Sequence, residues 1–353
     1  MRQFYSVIAM AVLLLAPRAA VAQSVEPGVD PVPDLAAAAA RDYRSKARFP
    51  AWSHPLRPGA ADPVMDGRQP TRQSLPDASG GMLTVWASDM RYEAGGVAHL
   101  YAEISPAPAK DADTRDNAPL QQGIGGRDWT VTASVTGRES GELGAVAYRD
   151  DGRGPDERRG DGVYTVAFRM PETATPAVGR AENIAVMVTA RAGEAEYKAI
   201  GGFLYSHPAA RLTGAFRDAL EAGNLVIRAQ AEVKAKGRFH LSGTLYSLRG
   251  EPVATAQTAV ELAPGRHWID LTFYGLALSE RGVSGPYSLG SVTLATTGAL
   301  PNALGPVLES AHLTGPYFVR DFHSREFARP DLVDAAERLE RISRQQHERN
   351  ERR

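Results

Sequence analysis

The residues best suited to chemistry are the aspartates of one glycine-rich stretch, RDDGRGPDERRGDGVYTVAF, at residues 149–168. Carboxylates among small, flexible residues suit a hard cation such as Ca²⁺, which makes Asp151, Asp156 and Asp161 candidate metal ligands. The spacing matches no EF-hand loop, and four arginines in the same stretch can neutralise the carboxylates. A salt-bridged structural turn is the competing interpretation. We favour it because aspartate and glycine are both typical turn residues.

The histidines and serines show no catalytic spacing. The sequence contains no Gly-x-Ser-x-Gly elbow, His-Glu-x-x-His pair, P-loop or dinucleotide fingerprint. Its eight histidines are scattered singly, and the lack of cysteine excludes thiolate metal sites and cysteine nucleophiles. A Ser/His/Asp triad stays open, because its members need not be close in sequence. We predict no catalytic or cofactor-binding residues, and no cofactor apart from calcium in the metal interpretation of the aspartates.

Aromatic side chains are the remaining candidates for a binding surface, because flat rings on an exposed face bury the CH surfaces of sugars. Strand alternation puts Trp129 in register with valines and predicts that it is core, whereas Trp268 and Tyr274 fall on an exposed face. We favour packing over sugar binding, since single exposed apolar side chains are common. The aromatic candidates are Trp86, Trp129, Trp268, Tyr246 and Tyr274.

The elements that position the acidic turn begin at Met82. There, short runs of alternating apolar and polar residues replace a proline-rich segment. Apolar and polar residues alternate in MLTVWASD, VAHLYAEI and WTVTASVTG, and again in three runs after the turn. About six or seven strands with turn-rich connections predict an immunoglobulin-like β-sandwich over residues 82–206. The long polar loop at residues 105–128 is a candidate for mobility.

A second strand-rich block follows the segment SHPAAR and predicts a second β-sandwich over residues 207–325. LVIRAQAEVKA alternates along its length, and RFHLSGTLYSL follows after a short turn, which predicts a hairpin of these two strands. Four further strands are predicted around residues 254–262, 267–274, 287–296 and 310–318. The fold class is therefore all-β, with two tandem immunoglobulin-like sandwiches.

Different elements flank the two sandwiches. Prolines recur through residues 23–81, which we interpret as an arm or linker holding one short helix capped by Asp34. Residues 326–353 are predicted to form an amphipathic helix starting at Pro330 and ending in a basic tail. Its apolar stripe runs through Leu332, Ala335, Leu339 and Ile342, and we expect it to dock a partner or to pack on the second sandwich.

Residues 1–22 predict a secretory signal peptide, with Arg2, an apolar run and a final Ala-Val-Ala. No later window is long and apolar enough to predict a transmembrane segment. Charge is nearly balanced, with 40 basic and 41 acidic side chains, so no global field favours nucleic acid. We expect a periplasmic or extracellular protein that does not bind nucleic acid.

Three motifs carry a resemblance to a known class of module: DDGRGPDERRGDGVYT at 150–165, RGVSGPYSLGSVTL at 281–294 and AHLTGPYFVRDF at 311–322. They resemble the immunoglobulin-like accessory modules of bacterial secreted and surface proteins of the choice-of-anchor X type. The resemblance covers roughly residues 82–322 and implies an accessory module rather than an activity.

Two classes of function stay open on these observations. The first is an extracytoplasmic, non-enzymatic protein that binds or scaffolds an envelope polymer or a partner protein. The alternative is a secreted hydrolase or hydrolase accessory, directed at carbohydrate or protein, whose active residues are distant in sequence. We predict the first, because no catalytic spacing is visible.

Overall fold

The structure is a computed structural model that describes residues 34–76, 81–106 and 128–351. Strands dominate these ranges, which confirms the predicted all-β class. The predicted signal peptide at residues 1–22 and most of the loop 105–128 lie outside the described residues. The assignment of the sandwiches to the immunoglobulin type, and the division of the chain into domains, stay predictions.

Four short elements precede the main sheets. They are helix α1 (Leu35–Ala47), strand β1 (Ser53–Pro55), helix α2 (Pro63–Asp66) and strand β2 (Gln73–Pro76). Asp34 caps α1 as predicted, because its carboxylate accepts a hydrogen bond of 2.9 Å from the backbone N–H of Ala37.

Two sheets enclose the first core, and their inward residues are the alternating apolar positions predicted from sequence. The strands are β3 (Gly81–Ala87), β4 (Arg91–Glu93), β5 (Val97–Pro106), β6 (Thr130–Gly137), β7 (Gly141–Ala147), β8 (Val163–Arg169), β9 (Arg180–Ala192) and β10 (Ala195–His207). One sheet has the order β2-β3-β5-β8 and the other β4-β10-β9-β6-β7. Val85 of β3 and Leu100 of β5 face Val188 of β9 across the core.

The second core lies between two further sheets. The strands are β11 (Ala210–Glu221), β12 (Asn224–Val233), β13 (Gly237–Tyr246), β14 (Pro252–Leu262), β15 (Gly265–Phe273), β16 (Ser288–Thr297) and β17 (Ala303–Leu313), with helix α3 (Gly275–Arg281) after β15. One sheet joins β1 to this block in the order β1-β14-β13-β16-β17, and the other has the order β11-β12-β15. Ile227 of β12 and Leu241 of β13 are both fully buried in the core between these sheets.

The predicted hairpin of β12 with β13 is wrong, because the two strands belong to opposite sheets. The short connection crosses the edge of the sandwich, so both strands direct their apolar faces into one core. Alternation shows which face of a strand is buried, but it does not show which strand is the neighbour. The last predicted strand, 310–318, also differs from β17, which ends at Leu313.

The N-terminal segment is not the arm or linker expected over residues 23–81, because its described part joins both sandwiches. Ser53 of β1 pairs with Ala256 of β14, and Gln73 of β2 pairs with Val85 of β3. Both strands lie at sheet edges and end in a proline. Proline is tolerated there because an edge strand leaves some N–H groups unpaired anyway.

The C-terminal helix α4 (Pro330–Glu351) starts at the predicted proline but packs on α1 rather than on the second sandwich. Arg44 of α1 forms a bidentate pair with Glu340 of α4, at 2.7 and 3.0 Å, which joins the two helices. The most buried residues of α4 are Ala336 and Ser343, whereas Ile342 of the predicted stripe is exposed. Small residues on both helices allow their close approach.

Within the ranges that the structure describes, no helix combines the length and the apolar character needed to cross a bilayer. The two sandwiches meet through Ala181, Leu204 and Ala303, which form a small buried cluster. The hydroxyl of Ser206 donates a 2.8 Å hydrogen bond to the carbonyl of Leu304 beside it.

Candidate ligand-binding cleft

The outer face of the β2-β3-β5-β8 sheet carries a row of stacked side chains. Trp86 and Tyr101 are cross-strand partners, and their rings lie 5.4 Å apart at an angle of 8°. The guanidinium of Arg72 lies 4.1 Å from the centroid of the Trp86 ring. We call Arg72, Trp86 and Tyr101 the stacked row. Its neighbours Val85 and Ala87 point into the core, so strand alternation directs the row outward.

The acidic turn, residues 149–162, folds over the same face of the sheet. Arg149 exchanges backbone hydrogen bonds of 2.9 and 2.8 Å with Thr165 of β8, and Thr165 is buried beneath the turn. Gly160 and Gly162 have φ values of 74° and 84°, a region that glycine enters without a steric penalty. The sequence prediction of a chain reversal at this position is correct.

Backbone N–H groups hold the carboxylates of the turn. Asp150 accepts from the N–H groups of Gly160 and Gly162, the latter at 3.0 Å. Asp156, which is buried, accepts from Gly152 at 2.5 Å and Arg158 at 3.2 Å. Asp150 and Asp156 are therefore stabilised by peptide N–H groups rather than by the arginine side chains that the sequence predicted.

The predicted metal ligands are only partly brought together. One carboxylate oxygen from each of Asp150, Asp156 and Asp161 lies within 4.8 Å of the others, so the first member of the group is Asp150 and not Asp151. Asp151 points elsewhere: it accepts from the backbone N–H of Arg153 at 3.1 Å and lies 4.0 Å from Arg149. The side chains of the adjacent residues Asp150 and Asp151 point in different directions, and the path of the turn decides that Asp150 joins the group.

A cleft of about 510 Å³ separates the acidic turn from the stacked row. Its walls include Arg72, Trp86, Tyr101, Pro155, Glu157 and Asp161. The cleft therefore presents one cation, two aromatic edges and several carboxylates on facing walls. Both faces of the Trp86 ring are covered, one by Tyr101 and one by Arg72, so a ligand meets ring edges and the guanidinium.

Burial and nearby charges shift the pKa values of two side chains of β5. Burial raises the pKa of the Glu103 carboxyl; Arg72 opposes the shift and Asp161 adds to it. Burial also raises the pKa of the Tyr101 phenol, and the nearby Tyr92 and Glu157 raise it further. Glu103 thus has an increased tendency to hold a proton beside the acidic turn.

The aromatic candidates from the sequence do not form one platform. Trp129 packs against the first core as predicted, with its ring stacked on Tyr197 at 5.1 Å. Trp268 is 37% exposed as predicted, under the guanidinium of Arg217 at 4.6 Å. Tyr274 is buried, contrary to the prediction, because β15 ends at Phe273 and the chain turns into α3.

The remaining two aromatic candidates lie in different sandwiches. Trp86 lines the cleft, whereas Tyr246 lies in β13 of the second sandwich and donates its hydroxyl hydrogen to Asp62 of the N-terminal segment. Sequence reasoning missed Tyr101 and Arg72, which complete the stacked row. The alternation of VAHLYAEI marks Tyr101 as outward-facing, but the pairing of Tyr101 with Trp86 depends on strand register.

Comparison with known proteins gives one family match, over residues 209–303, to the C-terminal domain of a domain of unknown function, DUF4785. No curated protein matches the sequence. Among solved structures, the chain is similar to a DUF4785 family protein from Legionella pneumophila, with a TM-score of 0.46 and 17% identity. That similarity covers 69% of this chain and 59% of the other, so the chain spans less than two thirds of its length.

The chain is also similar to the apo form of β-glucuronidase 3 from Bacteroides uniformis, with a TM-score of 0.20 and 13% identity. This similarity covers 66% of the chain and 25% of the enzyme. We infer no ligand and no reaction from either structural similarity.

Proposed function

We propose that this protein is an extracytoplasmic, non-enzymatic binding protein that holds a component of the cell envelope in the cleft between the stacked row and the acidic turn. The observation that carries the proposal is the arrangement of Arg72, Trp86 and Tyr101 opposite a wall of carboxylates. Ring edges, a planar cation and hydrogen-bond acceptors together suit an extended polar ligand such as a glycan strand.

The state of the acidic turn supports binding over catalysis. General acid–base catalysis needs a side chain that is free to exchange a proton with the substrate. The carboxylates of Asp150 and Asp156 instead accept hydrogen bonds from backbone N–H groups, which fix the side chains in place. These groups stabilise one wall of the cleft, on which Glu157 and Asp161 are the exposed carboxylates.

The proposed location outside the cytoplasm rests on the predicted signal peptide at residues 1–22. The resemblance of the 150–165 motif to accessory modules of secreted proteins is consistent with a role in attachment. Export of the protein from its native cell, measured by fractionation, tests this part of the proposal.

One observation favours the alternative, a carbohydrate-directed hydrolase. Glu103 has a raised pKa and lies near Asp161, and glycosidases use one protonated and one ionised carboxyl group. In that case Glu103 is the proton donor and Asp161 the second carboxylate. The Glu103→Gln variant separates the two functions, because a hydrolase loses turnover while a binding protein keeps its affinity.

The proposal is tested by co-sedimentation of the protein with isolated cell-wall sacculi and with purified envelope polysaccharide. We expect Trp86→Ala to weaken binding roughly tenfold, because it removes the centre of the stacked row. Trp268→Ala is the matched control, since the Trp268 ring also lies under an arginine but belongs to the second sandwich. Equal binding by wild type and Trp86→Ala would contradict the proposal.

A further inference from the structure

A second cleft, of about 330 Å³, lies where α2, the first sandwich and β17 of the second sandwich meet. Its walls include Met65, Arg68, Gln69, Ser88, Arg91 and Val307. Gln69 and Ser88 also line the cleft beside the stacked row, so the two clefts adjoin. We call this second cleft the junction cleft.

Arg68 is fixed in the junction cleft by the second sandwich. Its Nη1 donates to the carbonyl of Gly305 at 2.7 Å, and its Nη2 donates to the hydroxyl of Thr293 at 2.7 Å. Neither acceptor carries a charge, so among the described residues the guanidinium has hydrogen-bond partners but no carboxylate bonded to it. Burial, with a smaller contribution from the like charge of Arg91, lowers the pKa of Arg68 to about 10, and Asp89 opposes the shift.

Arg91 lies across the same cleft, on β4 of the first sandwich. Its Nη1 is buried and has no hydrogen-bond partner within the part of the chain that the structure describes. The carboxylates of Asp89 and Glu93 act on Arg91 electrostatically but leave Nη1 without a hydrogen bond: Asp89 accepts from the backbone N–H of Arg91 at 3.0 Å, and Glu93 lies 2.7 Å from Arg211. A buried donor of a charged group without an acceptor costs free energy, which a bound anion would recover.

We propose that the junction cleft binds an oxyanion, a carboxylate or a phosphate group, between the guanidinium groups of Arg68 and Arg91. An oxyanion fits because a guanidinium presents a planar set of donors that matches carboxylate and phosphate oxygens. It would relieve the repulsion between two cations that the fold brings together. Asp89 and Glu309 also line the cleft, but both are exposed, so water and salt screen them.

This site does not depend on the proposed function, since a free anion suffices to occupy it. If one ligand occupies both clefts, their shared walls at Gln69 and Ser88 place an anionic group of the ligand next to the stacked row. The ligand of the first cleft would then be a polymer with carboxylate or phosphate substituents.

The test is isothermal titration calorimetry of the mature protein with inorganic phosphate and, separately, with acetate. A chloride salt keeps the ionic strength constant. We expect saturable binding of at least one anion, and the better ligand identifies the oxyanion group. Arg91→Gln is expected to weaken this binding at least about tenfold, because one bidentate contact is lost. Arg217→Gln is the matched control, since that guanidinium stacks on Trp268 far from the junction cleft, and it should bind like wild type.

The Arg91→Lys variant is measured in the same way. It keeps the positive charge, so it tests the site even if the Arg91→Gln variant fails to fold. We expect it to bind more weakly than wild type, since an ammonium group cannot make the planar contact. Absence of saturable binding of both anions overturns the proposal. Unchanged affinity in both Arg91 variants overturns it as well, whatever the outcome of the sedimentation assay.

Discussion

Two groups of hydrogen-bonded carboxylates in this molecule are built in opposite ways. In the acidic turn, the carboxylates accept from backbone N–H groups that are 2 to 12 residues away in sequence. Asp62, at the start of α2, accepts from the hydroxyls of Thr244 at 2.7 Å, Tyr246 at 2.5 Å and Ser291 at 2.6 Å. These partners are 182 to 229 residues away.

The difference shows how one residue type serves two structural tasks. The turn carboxylates shape a local loop, and the peptide groups that they bind are present in any chain that reverses there. Asp62 instead joins the N-terminal segment to the second sandwich, and it also caps α2 through the N–H of Val64 at 2.8 Å. The local group forms one wall of a cleft, whereas the long-range group holds two parts of the fold together.

The strongest way to test this comparison is to remove the carboxylate of Asp62. Asp62→Ala leaves the hydroxyls of Thr244 and Ser291, which are buried, without their acceptor. We expect the free energy of unfolding to fall by about 3 kcal/mol, the cost of unsatisfied buried donors together with a lost helix cap. Urea unfolding monitored by circular dichroism measures this loss.

Asp66→Ala is the control for that variant, because Asp66 lies in the same helix but is exposed. We expect it to change the free energy of unfolding by no more than about 0.5 kcal/mol. If both variants lose the same stability, Asp62 acts only through the propensity of α2 and the contrast between local and long-range carboxylates fails.

Acid unfolding sharpens the comparison further. Burial alone would raise the pKa of Asp62, but the hydrogen bonds from Ser291, Tyr246, Thr244 and the Val64 N–H outweigh it and lower the pKa below its usual 3.8. A lowered folded-state pKa gives stability that is complete above pH 3.8 and is lost as the pH falls through the folded value. The stability difference between wild type and Asp62→Asn should therefore shrink below pH 3.8. A difference that is constant with pH would contradict the predicted charge of Asp62.

The smallest expected effect concerns calcium and the acidic turn. Because backbone N–H groups already bind Asp150 and Asp156, we expect the thermal unfolding midpoint to be the same in calcium and in chelator. A midpoint that rises with calcium, and loses this rise in Asp161→Asn but not in Asp151→Asn, would show that the turn is a metal site. Asp151 is the matched control, since it lies outside the group of Asp150, Asp156 and Asp161.

The cleft was only partly predictable from the sequence. The position of the acidic turn, the outward face of Trp86 and the buried face of β8 all follow from turn composition and strand alternation, which act over a few residues. The pairing of Trp86 with Tyr101, and the placement of Arg72 over the ring, depend on how three strands align. A register shift by one residue would send each of these side chains to the opposite face.

The sequence by itself determined what is local in this protein: the strand-rich class, the cap of α1 by Asp34, the start of α4 at Pro330 and the reversal at Gly160 and Gly162. Each of these rests on backbone geometry or on hydrogen bonds between close neighbours in the chain. Only the tertiary structure decided that α1 packs on α4, that β12 and β13 lie in opposite sheets, and that Arg68 and Arg91 line one cleft. Such contacts join residues far apart in the chain, and their free energy arises from packing and burial that no short sequence window records.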